Sequence, residues 1–399
     1  MPHPPEPALR TLLLGQVPAD FSDWLDFVAI GALLAFGWQV DPIVFALLAV
    51  ALGLPYLVVG PIAGGIVDRV DTKPVLILSN LGRAAATLSF FFAPNWQILL
   101  GLIFLRGCVD TFFTPAKQSA LQALTTKDTR TRTNAISHAI NQASKVVAPA
   151  LGGAMLIWMT PQVVFLCNAF VSVLAAAVLW QLSTIPPAPA PDDGAAETGM
   201  FASLRRGLRE VKTKRILRAA LGMMATGYFA MFFYDTLIAP MTRDLGFTET
   251  QLGIALAAVG AGGVLGSAVM ASIKTIVKPF RLIALAALTS STLVMGLGWA
   301  EMASVAIPFP VFAAGFAVVG VATALSVVPY RTIIQTETSE HAIGQVTALS
   351  EAANMVALLT APFIGALVAS AFSIGAAFVL GGGVMLVVSL RAVKLRHAG

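Results

Sequence analysis

The sequence has 399 residues, of which 57% are hydrophobic and only 11% are charged, and its mean hydropathy is +0.83. Because soluble proteins have about a quarter of their residues charged, this composition excludes a soluble domain and indicates a chain surrounded by lipid. The net charge of +5 and the pI near 9.4 do not indicate a nucleic-acid partner, since the basic residues are distributed over short segments between apolar runs.

Twelve apolar runs have the length of about 20 residues that an α-helix needs to cross a bilayer. The predicted spans are residues 12–36, 43–67, 74–93, 97–119, 134–158, 162–184, 216–240, 251–273, 280–299, 307–330, 344–369 and 374–393. The first run is too long for the core of a signal peptide, so it is expected to be a retained helix. The sequence therefore predicts an all-α membrane protein with twelve transmembrane helices.

The distribution of basic residues predicts the orientation, because Lys and Arg collect on the cytoplasmic side of membrane proteins. With a cytoplasmic N-terminus, nearly all basic residues, including Arg83 and Lys117, are expected at or near the inner face. The outer loops hold only Arg243, while Arg106 and Lys145 fall inside spans. We therefore expect a multi-pass protein of the cell (inner) membrane with both termini in the cytoplasm.

Five ionisable residues fall near the middle of N-terminal spans, where a charge is costly and usually faces a cavity or a partner. Asp23 and Asp26 lie in the first span, Arg106 and Asp110 in the fourth, and Lys145 in the fifth. Three acids and two bases leave one excess negative charge, and low dielectric favours the protonated form of the least paired carboxylate. We expect Asp23 or Asp26 to carry a proton and Asp110 to pair with Arg106. A purely structural polar network is the alternative.

The connection between the second and third spans concentrates charge in the stretch GGIVDRVDTK, residues 64–73. Gly64 allows a tight turn and a close approach of helices. Asp68, at a helix terminus, is expected to accept hydrogen bonds from free backbone N–H groups at a neighbouring helix start. Arg69 and Lys73 are expected to face the inner headgroups. A loop that serves only as a positive-inside signal is the alternative.

Polar and aromatic residues within the spans are candidates for a substrate pocket. They are Trp24, His138, Asn141, Tyr228, Tyr234, Asp235, Glu351 and Asn354. A lone histidine is more often a satisfied interior side chain, and most aromatic residues of a membrane protein face lipid or pack between helices. Because the sequence contains no nucleotide-binding loop, metal-ligand cluster or nucleophile triad, we expect no cofactor, no metal and no enzymatic activity.

A linker separates the first six spans from the last six. Residues 183–200 are rich in Pro and Ala, and residues 201–215 resemble a basic amphipathic helix on the inner membrane surface, or one that only anchors the topology. We predict an N-terminal six-helix bundle over residues 1–184, a cytoplasmic linker over 185–215 and a C-terminal six-helix bundle over 216–399.

The two halves carry an internal repeat, because polar residues of the fifth span recur in register in the eleventh. At an offset of 213, the residues Ala135, Ser137, Ala139, Asn141, Ala148, Pro149 and Gly152 match Ala348, Ser350, Ala352, Asn354, Ala361, Pro362 and Gly365. At an offset of 214, Pro115 and Lys117 match Pro329 and Arg331. Parallel six-helix repeats are one of the known transporter layouts.

Several of these segments resemble motifs of the major facilitator superfamily. Gly64, Asp68, Arg69 and Lys73 resemble its loop signature G-x-x-x-D-R-x-G-R-[RK], although Asp71 occupies a position that is usually glycine. The fifth-span segment over residues 148–153 is similar to the Gly-Pro-x-x-Gly-Gly motif of its drug exporters, with alanine for the first glycine. The residues that match this motif are Pro149, Gly152 and Gly153.

Further resemblances point to an exporter branch of this superfamily. Arg106 resembles the arginine of another exporter motif, and the stretches FSDWLDFVAIGALL and FTPAKQSAL look most like the macrolide- and siderophore-exporting branch. Lysophospholipid transporters of the same superfamily have a similar Pro-Ala-Lys segment.

The resemblance implies a fold of two six-helix pseudo-repeats that work by alternating access, with the loop over residues 64–73 as a cytoplasmic gate. It implies a secondary active transporter that exports a small amphipathic, drug- or siderophore-like compound in exchange for protons. We expect a monomer whose partners are this substrate, protons and membrane lipid. A lysophospholipid transporter is the alternative. An intramembrane enzyme would need a catalytic constellation that the sequence lacks, and a channel is disfavoured because the repeat suits rocking better than a fixed pore.

Overall fold

The computed structural model describes residues 6–185, 200–273, 278–339 and 342–395, and all regular elements within these ranges are helical. The helices are α1 (Glu6–Ser22), α2 (Phe27–Ala32), α3 (Pro42–Val58), α4 (Gly60–Val67), α5 (Thr72–Phe90), α6 (Trp96–Asp110), α7 (Phe113–Ala123), α8 (Lys127–Met155), α9 (Pro161–Trp180), α10 (Met200–Thr213), α11 (Arg215–Asp235), α12 (Ile238–Asp244), α13 (Glu249–Ser272), α14 (Pro279–Met302), α15 (Phe309–Glu337), α16 (Ile343–Ala371) and α17 (Ile374–Leu395). A π-helical turn over Leu33–Gly37 follows α2.

Each of the twelve predicted spans is built from one or two of these helices. Within the described ranges, nine helical segments are long and apolar enough to cross a membrane: residues 42–67, 96–123, 161–180, 215–235, 249–272, 279–302, 309–334, 345–371 and 374–394. The other three predicted spans, in α1–α2, α5 and α8, are also helical but contain polar and charged side chains. The protein is therefore an all-α membrane protein.

Side-chain caps define where several helices begin, because the first backbone N–H groups of a helix have no partner within it. Asn95 Oδ1 accepts a hydrogen bond from the Ile98 N–H at the start of α6, at 3.0 Å. Thr126 and Thr248 form capping boxes at the starts of α8 and α13. Asn95 and Thr248 lie two and three residues before the predicted spans 97–119 and 251–273, whereas Thr126 begins α8 eight residues before the predicted span 134–158.

The chain divides into two compact units. One comprises residues 1–40 and 50–190, and the other comprises residues 41–49 and 191–399. A core in the first unit joins residues of α1, α5, α7 and α9, such as Leu12 and Leu76. Cores in the second unit join α11, α14 and α16, around Leu217 and Ile283, and α13 with α15, around Phe312. The domain boundaries at residues 184 and 216 remain predictions.

The same glycine contact occurs in both units and reflects the sequence repeat. A Cβ atom on Gly152 of α8 would lie 1.9 Å from the backbone oxygen of Leu25. A Cβ atom on Gly365 of α16 would lie 1.8 Å from the backbone oxygen of Phe233. Each glycine therefore allows the fifth helix of its half to contact the backbone of the first helix of that half, as small residues do between membrane helices.

The amphipathic helix α10 belongs to the second unit and packs against α15 and α16. Its Gly207 lies against the backbone of Gln345, since an added Cβ would be 2.6 Å from the Gln345 oxygen. Glu210 accepts a hydrogen bond of 2.8 Å from the Ser339 hydroxyl, and Lys214 donates one of 2.8 Å to the backbone oxygen of Glu337. The hydrogen bonds from Lys214 and Ser339 lower the pKa of Glu210 to about 2. Residues 186–199 of the predicted linker lie outside the described residues.

Candidate functional site

The first span is interrupted between α1 and α2. Backbone oxygens next to this interruption accept hydrogen bonds from side chains of other helices. Arg83 of α5 donates a hydrogen bond of 2.6 Å to the backbone oxygen of Ala19. Arg106 of α6 and Asn168 of α9 donate to the backbone oxygen of Ser22 at 2.7 Å and 2.9 Å. Because a membrane interior offers no water to free backbone groups, these donors stabilise the break.

Two buried arginines connect three carboxylates next to this break. Arg83 forms ion pairs with Asp23, at 2.8 Å, and with Asp110. Arg106 forms ion pairs with Asp26, at 2.7 Å, and with the other oxygen of Asp110, at 3.5 Å. Asp110 therefore bridges the two arginines, and the five side chains form a continuous chain of alternating charge.

A fifth ion pair, between Lys117 and Asp20, lies in the same unit. Lys117 of α7 contacts both carboxylate oxygens of Asp20, at 2.9 Å and 3.2 Å. Gln16 donates to Asp20 at 2.7 Å and to the backbone oxygen of Ser137 in α8 at 2.8 Å. Asp20 is therefore held by both a charged and a neutral donor, an arrangement that compensates a buried carboxylate well.

The polar centre carries one more acid than base. Its members are the acids Asp20, Asp23, Asp26 and Asp110 and the bases Arg83, Arg106 and Lys117. The four acids differ in exposure, since the side chain of Asp23 is 23% exposed whereas that of Asp26 is 2% exposed. The buried oxygen of Asp23 that faces Arg83 accepts no hydrogen bond of good geometry from the described residues. Asp23 is therefore the most exposed of the four acids, and its contact with Arg83 lacks good hydrogen-bond geometry at the buried oxygen.

The structure corrects the membership of the polar centre that the sequence predicts. Arg83 and Lys117 belong to the polar centre, since they are 1% and 4% exposed and pair with buried acids. Lys145 of α8 is exposed, and the ion pairs of the four acids are made by other bases. The signal for Arg83 was present in the sequence, because Arg83 is in the middle of the predicted span 74–93.

A cavity of about 240 Å³ lies in the second unit between α11, α13, α14, α15 and α17. Three of the predicted substrate-binding residues, Tyr228, Tyr234 and Asp235, line it together. Its other lining residues are mostly apolar, and they include Tyr330 and Arg331, which the sequence analysis did not identify as binding residues. A mostly apolar cavity with a few polar groups is the usual form of a small-molecule site.

The remaining predicted binding residues do not line this cavity. His138 and Glu351 are exposed, and Trp24, Asn141 and Asn354 are partly exposed. The structure therefore separates the predicted binding residues into a group of three at the cavity and others elsewhere in the two units.

The charged loop is stabilised by a different aspartate from the predicted one. Asp68 follows the last residue of α4 and is exposed, as is Arg69, so the prediction that Asp68 caps a neighbouring helix is wrong. Asp71 instead begins α5 by accepting a hydrogen bond of 2.9 Å from the Lys73 N–H, and it also accepts from the Ile185 N–H at 3.3 Å. The residue that departs from the superfamily signature therefore caps α5 and joins the loop to residue 185.

The glycines of the predicted helix-five motif are at a close contact between helices. Gly152 contacts the backbone of Leu25 in the break of the first span, and Gly153 is also buried. Pro149 lies within α8, one turn before them. The motif therefore positions α8 against the segment that contains Asp23 and Asp26.

Comparisons with known proteins agree with the fold. The sequence model of the Major Facilitator Superfamily matches residues 12–307 and 223–398. The chain is 26% identical over 393 residues to the uncharacterized MFS-type transporter YfiS of Bacillus subtilis, covering 96% of this chain and 91% of YfiS. It is 28% identical over 341 residues to the multidrug efflux pump Tap of Mycobacterium tuberculosis, covering 79% of this chain and 77% of Tap. It also shares the fold of a bacterial homologue of the human lysosomal transporter Spinster in an inward-facing, unoccupied conformation, with a TM-score of 0.72, 14% identity and coverage of 98% and 96%.

Proposed function

Because the chain belongs to the major facilitator superfamily and is a multi-pass membrane transporter, we propose that it exports a small amphipathic compound in exchange for protons. Its similarity to the multidrug efflux pump Tap supports export. The excess carboxylate of the polar centre supports proton coupling. We place the protein in the inner membrane as a monomer with both termini in the cytoplasm, as the distribution of basic residues favours.

The observation that carries the proton-coupling proposal is the unequal bonding of the four acids. If Asp23 is protonated, Arg83 keeps its ion pair with Asp110 and its hydrogen bonds to Ala19 and to the Ser22 hydroxyl. Protonation of Asp26 would instead weaken its ion pair with Arg106, and the side chains of both residues are almost fully buried. Asp23 can therefore change its charge at the lowest cost to the network.

Transport follows if the two conformations of the carrier differ in their affinity for the proton and for the substrate. Protonation of Asp23 removes one of the two carboxylates that compensate Arg83, so it changes the relative energy of states that hold Arg83 differently. We propose that the loop over residues 64–73 forms the gate, with the exposed Asp68 and Arg69 as its interacting groups and Gly64 and Lys73 as its ends. The bundles over residues 1–184 and 216–399 would be the moving bodies.

Reconstitution into liposomes that contain a pH-sensitive dye tests this function. Candidate drugs, siderophores and lysophospholipids are added to the wild-type protein, and substrate-dependent proton movement is recorded. We expect Asp23→Asn to abolish proton movement while substrate exchange without a gradient persists. Asp244→Asn, at an exposed helix end, is the matched control and should behave as the wild type.

Full proton-coupled transport by Asp23→Asn over the whole pH range would exclude Asp23 as the carrier. Movement of lysophospholipid by the wild type without any proton movement would replace the export proposal with the lipid-transport alternative.

A further inference from the structure

The cavity in the second unit extends along the helices that line it. On α11 its lining runs from Met224 to Asp235, which are eleven residues apart and therefore about 16 Å apart along the helix axis. Most of its wall is made of side chains such as Val259, Leu297 and Phe316. This shape suits an elongated apolar group rather than a compact polar molecule.

Asp235 gives one end of this cavity a negative potential. It is the only carboxylate among the lining residues, and the described residues provide it with no hydrogen bond or ion pair. It is also the last residue of α11, where the helix dipole contributes further negative potential. A partly buried carboxylate without a partner among the described residues is costly, so a cation at this position would be stabilised by both the side chain and the helix end.

A second polar group of the cavity also has no protein partner. Tyr330 of α15 is 6% exposed, lines the cavity, and has a hydroxyl that makes no hydrogen bond with the described residues. An unmet buried hydroxyl costs free energy in the empty protein. A larger cationic ligand that carries a hydrogen-bonding group within reach of this hydroxyl would remove that cost, whereas a plain alkyl chain would not.

We propose that this cavity binds the apolar part of an organic cation, with the ammonium group of the ligand at Asp235. The proposal rests on the function proposed above and narrows its substrate class to elongated amines. The cavity of about 240 Å³ is smaller than the roughly 300–1,000 Å³ of drug-sized sites, so it accommodates an alkylamine or one arm of a larger cationic drug.

Binding of octylamine and of 1-octanol to the protein in nanodiscs tests the proposal, with empty nanodiscs as the reference for partition into lipid. The two probes differ only in the charged group. We expect the wild type to bind octylamine at least about tenfold more tightly, because the ammonium forms a charge-assisted hydrogen bond with Asp235. Asp235→Asn should remove this preference and leave 1-octanol binding unchanged.

Two further variants separate the cavity from other sites. Val259→Phe places a larger side chain in the cavity and should weaken the binding of both probes. Asp244→Asn removes an exposed carboxylate of the same unit and should leave the binding of both unchanged. The proposal is overturned if the wild type shows no preference for the amine, if Asp235→Asn keeps it, or if Val259→Phe binds both probes normally.

The outcome can be told apart from a failure of proton coupling, because equilibrium binding in nanodiscs and proton movement in liposomes are measured separately. If Asp235→Asn keeps the amine preference while liposomes show proton-coupled export, only the cavity assignment fails. If amines bind as expected but no substrate moves protons, only the proposed antiport fails.

Discussion

Replacing Gly152 by alanine should strongly destabilise the first unit. The added Cβ would lie 1.9 Å from the Leu25 oxygen, whereas Cβ contacts in proteins are essentially never shorter than 3.0 Å, so α8 must move by more than 1 Å. The contacted atom belongs to the backbone and cannot rotate away. Overpacking of a core costs about 1–3 kcal/mol, and we expect the upper end of this range, about 3 kcal/mol. The same movement displaces the segment that holds Asp23 and Asp26, so proton coupling should fall as well.

Other glycines of the chain provide matched controls for this substitution. Gly365→Ala should cause a similar loss, because its Cβ would lie 1.8 Å from the Phe233 oxygen. Gly101→Ala and Gly222→Ala have open space around the new atom and should stabilise their helices by about 0.5–1 kcal/mol. Thermal unfolding of the four variants in one detergent measures the order. If Gly152→Ala unfolds at the same temperature as Gly101→Ala, the close contact does not exist and the reasoning is refuted.

Two other predictions concern Arg83 and the helix α10. Arg83→Ala should lower the free energy of unfolding by about 3–5 kcal/mol, because it leaves Asp23 and Asp110 without their shared cation. Denaturant titration measures this change. A loss below about 1 kcal/mol would match a surface arginine and contradict the prediction. The pKa of Glu210 is lowered from 4.5 to about 2, so its contribution to the docking of α10 should be complete above about pH 4.5 and lost as the pH falls towards 2. The protection of the α10 amides from hydrogen exchange should therefore be constant between pH 7 and 5 and should fall only below pH 5. The Glu210→Gln variant should lack this loss of protection in acid.

The spans were predictable because the bilayer sets both the length and the hydropathy of a crossing helix. The break between α1 and α2 was not, since an apolar window averages over it. The broken backbone is stabilised by Arg83, Arg106 and Asn168, which come from three other helices. Such an interruption depends on hydrogen-bond partners from other helices. The hydropathy of residues 23–26 and their neighbours therefore did not predict it.

The polar centre was predictable in its acids and less so in its bases. Asp23, Asp26 and Asp110 fall at similar depth in their predicted spans, so depth alone brought them together. Arg83 and Lys117 were predicted at the membrane face because the positive-inside rule counts residues by loop and gives no side-chain direction. The position of Arg83 in the middle of the predicted span 74–93 was a signal in the sequence, whereas the acids that Arg83 and Lys117 reach are given only by the packing of α5 and α7.

The two halves use the same helix arrangement with different interiors. At the offset of 214 that aligns Lys117 with Arg331, Arg106 and Asp110 align with Gly320 and Ala324. Gly320 packs so closely on α13 that an added Cβ would lie 2.1 Å from a backbone oxygen there. In the fourth predicted span, α6 therefore provides charges. In the tenth predicted span, α15 provides small residues and lines a cavity.

This difference in interior has a consequence for coupling. The proposed proton site at Asp23 and the proposed ligand site at Asp235 belong to different units. The ion pairs of Asp23 and the lining of the cavity have no residue in common, so we expect little direct effect of one site on the other within one fixed conformation. Coupling then requires that proton binding and ligand binding each favour one of two global conformations. The proton then changes the affinity for the ligand by the same factor as the ligand changes the affinity for the proton. Asp23→Asn should consequently leave the octylamine affinity at a single pH nearly unchanged in a conformationally trapped protein. In the freely exchanging protein, it should remove the part of the pH dependence that arises from Asp23.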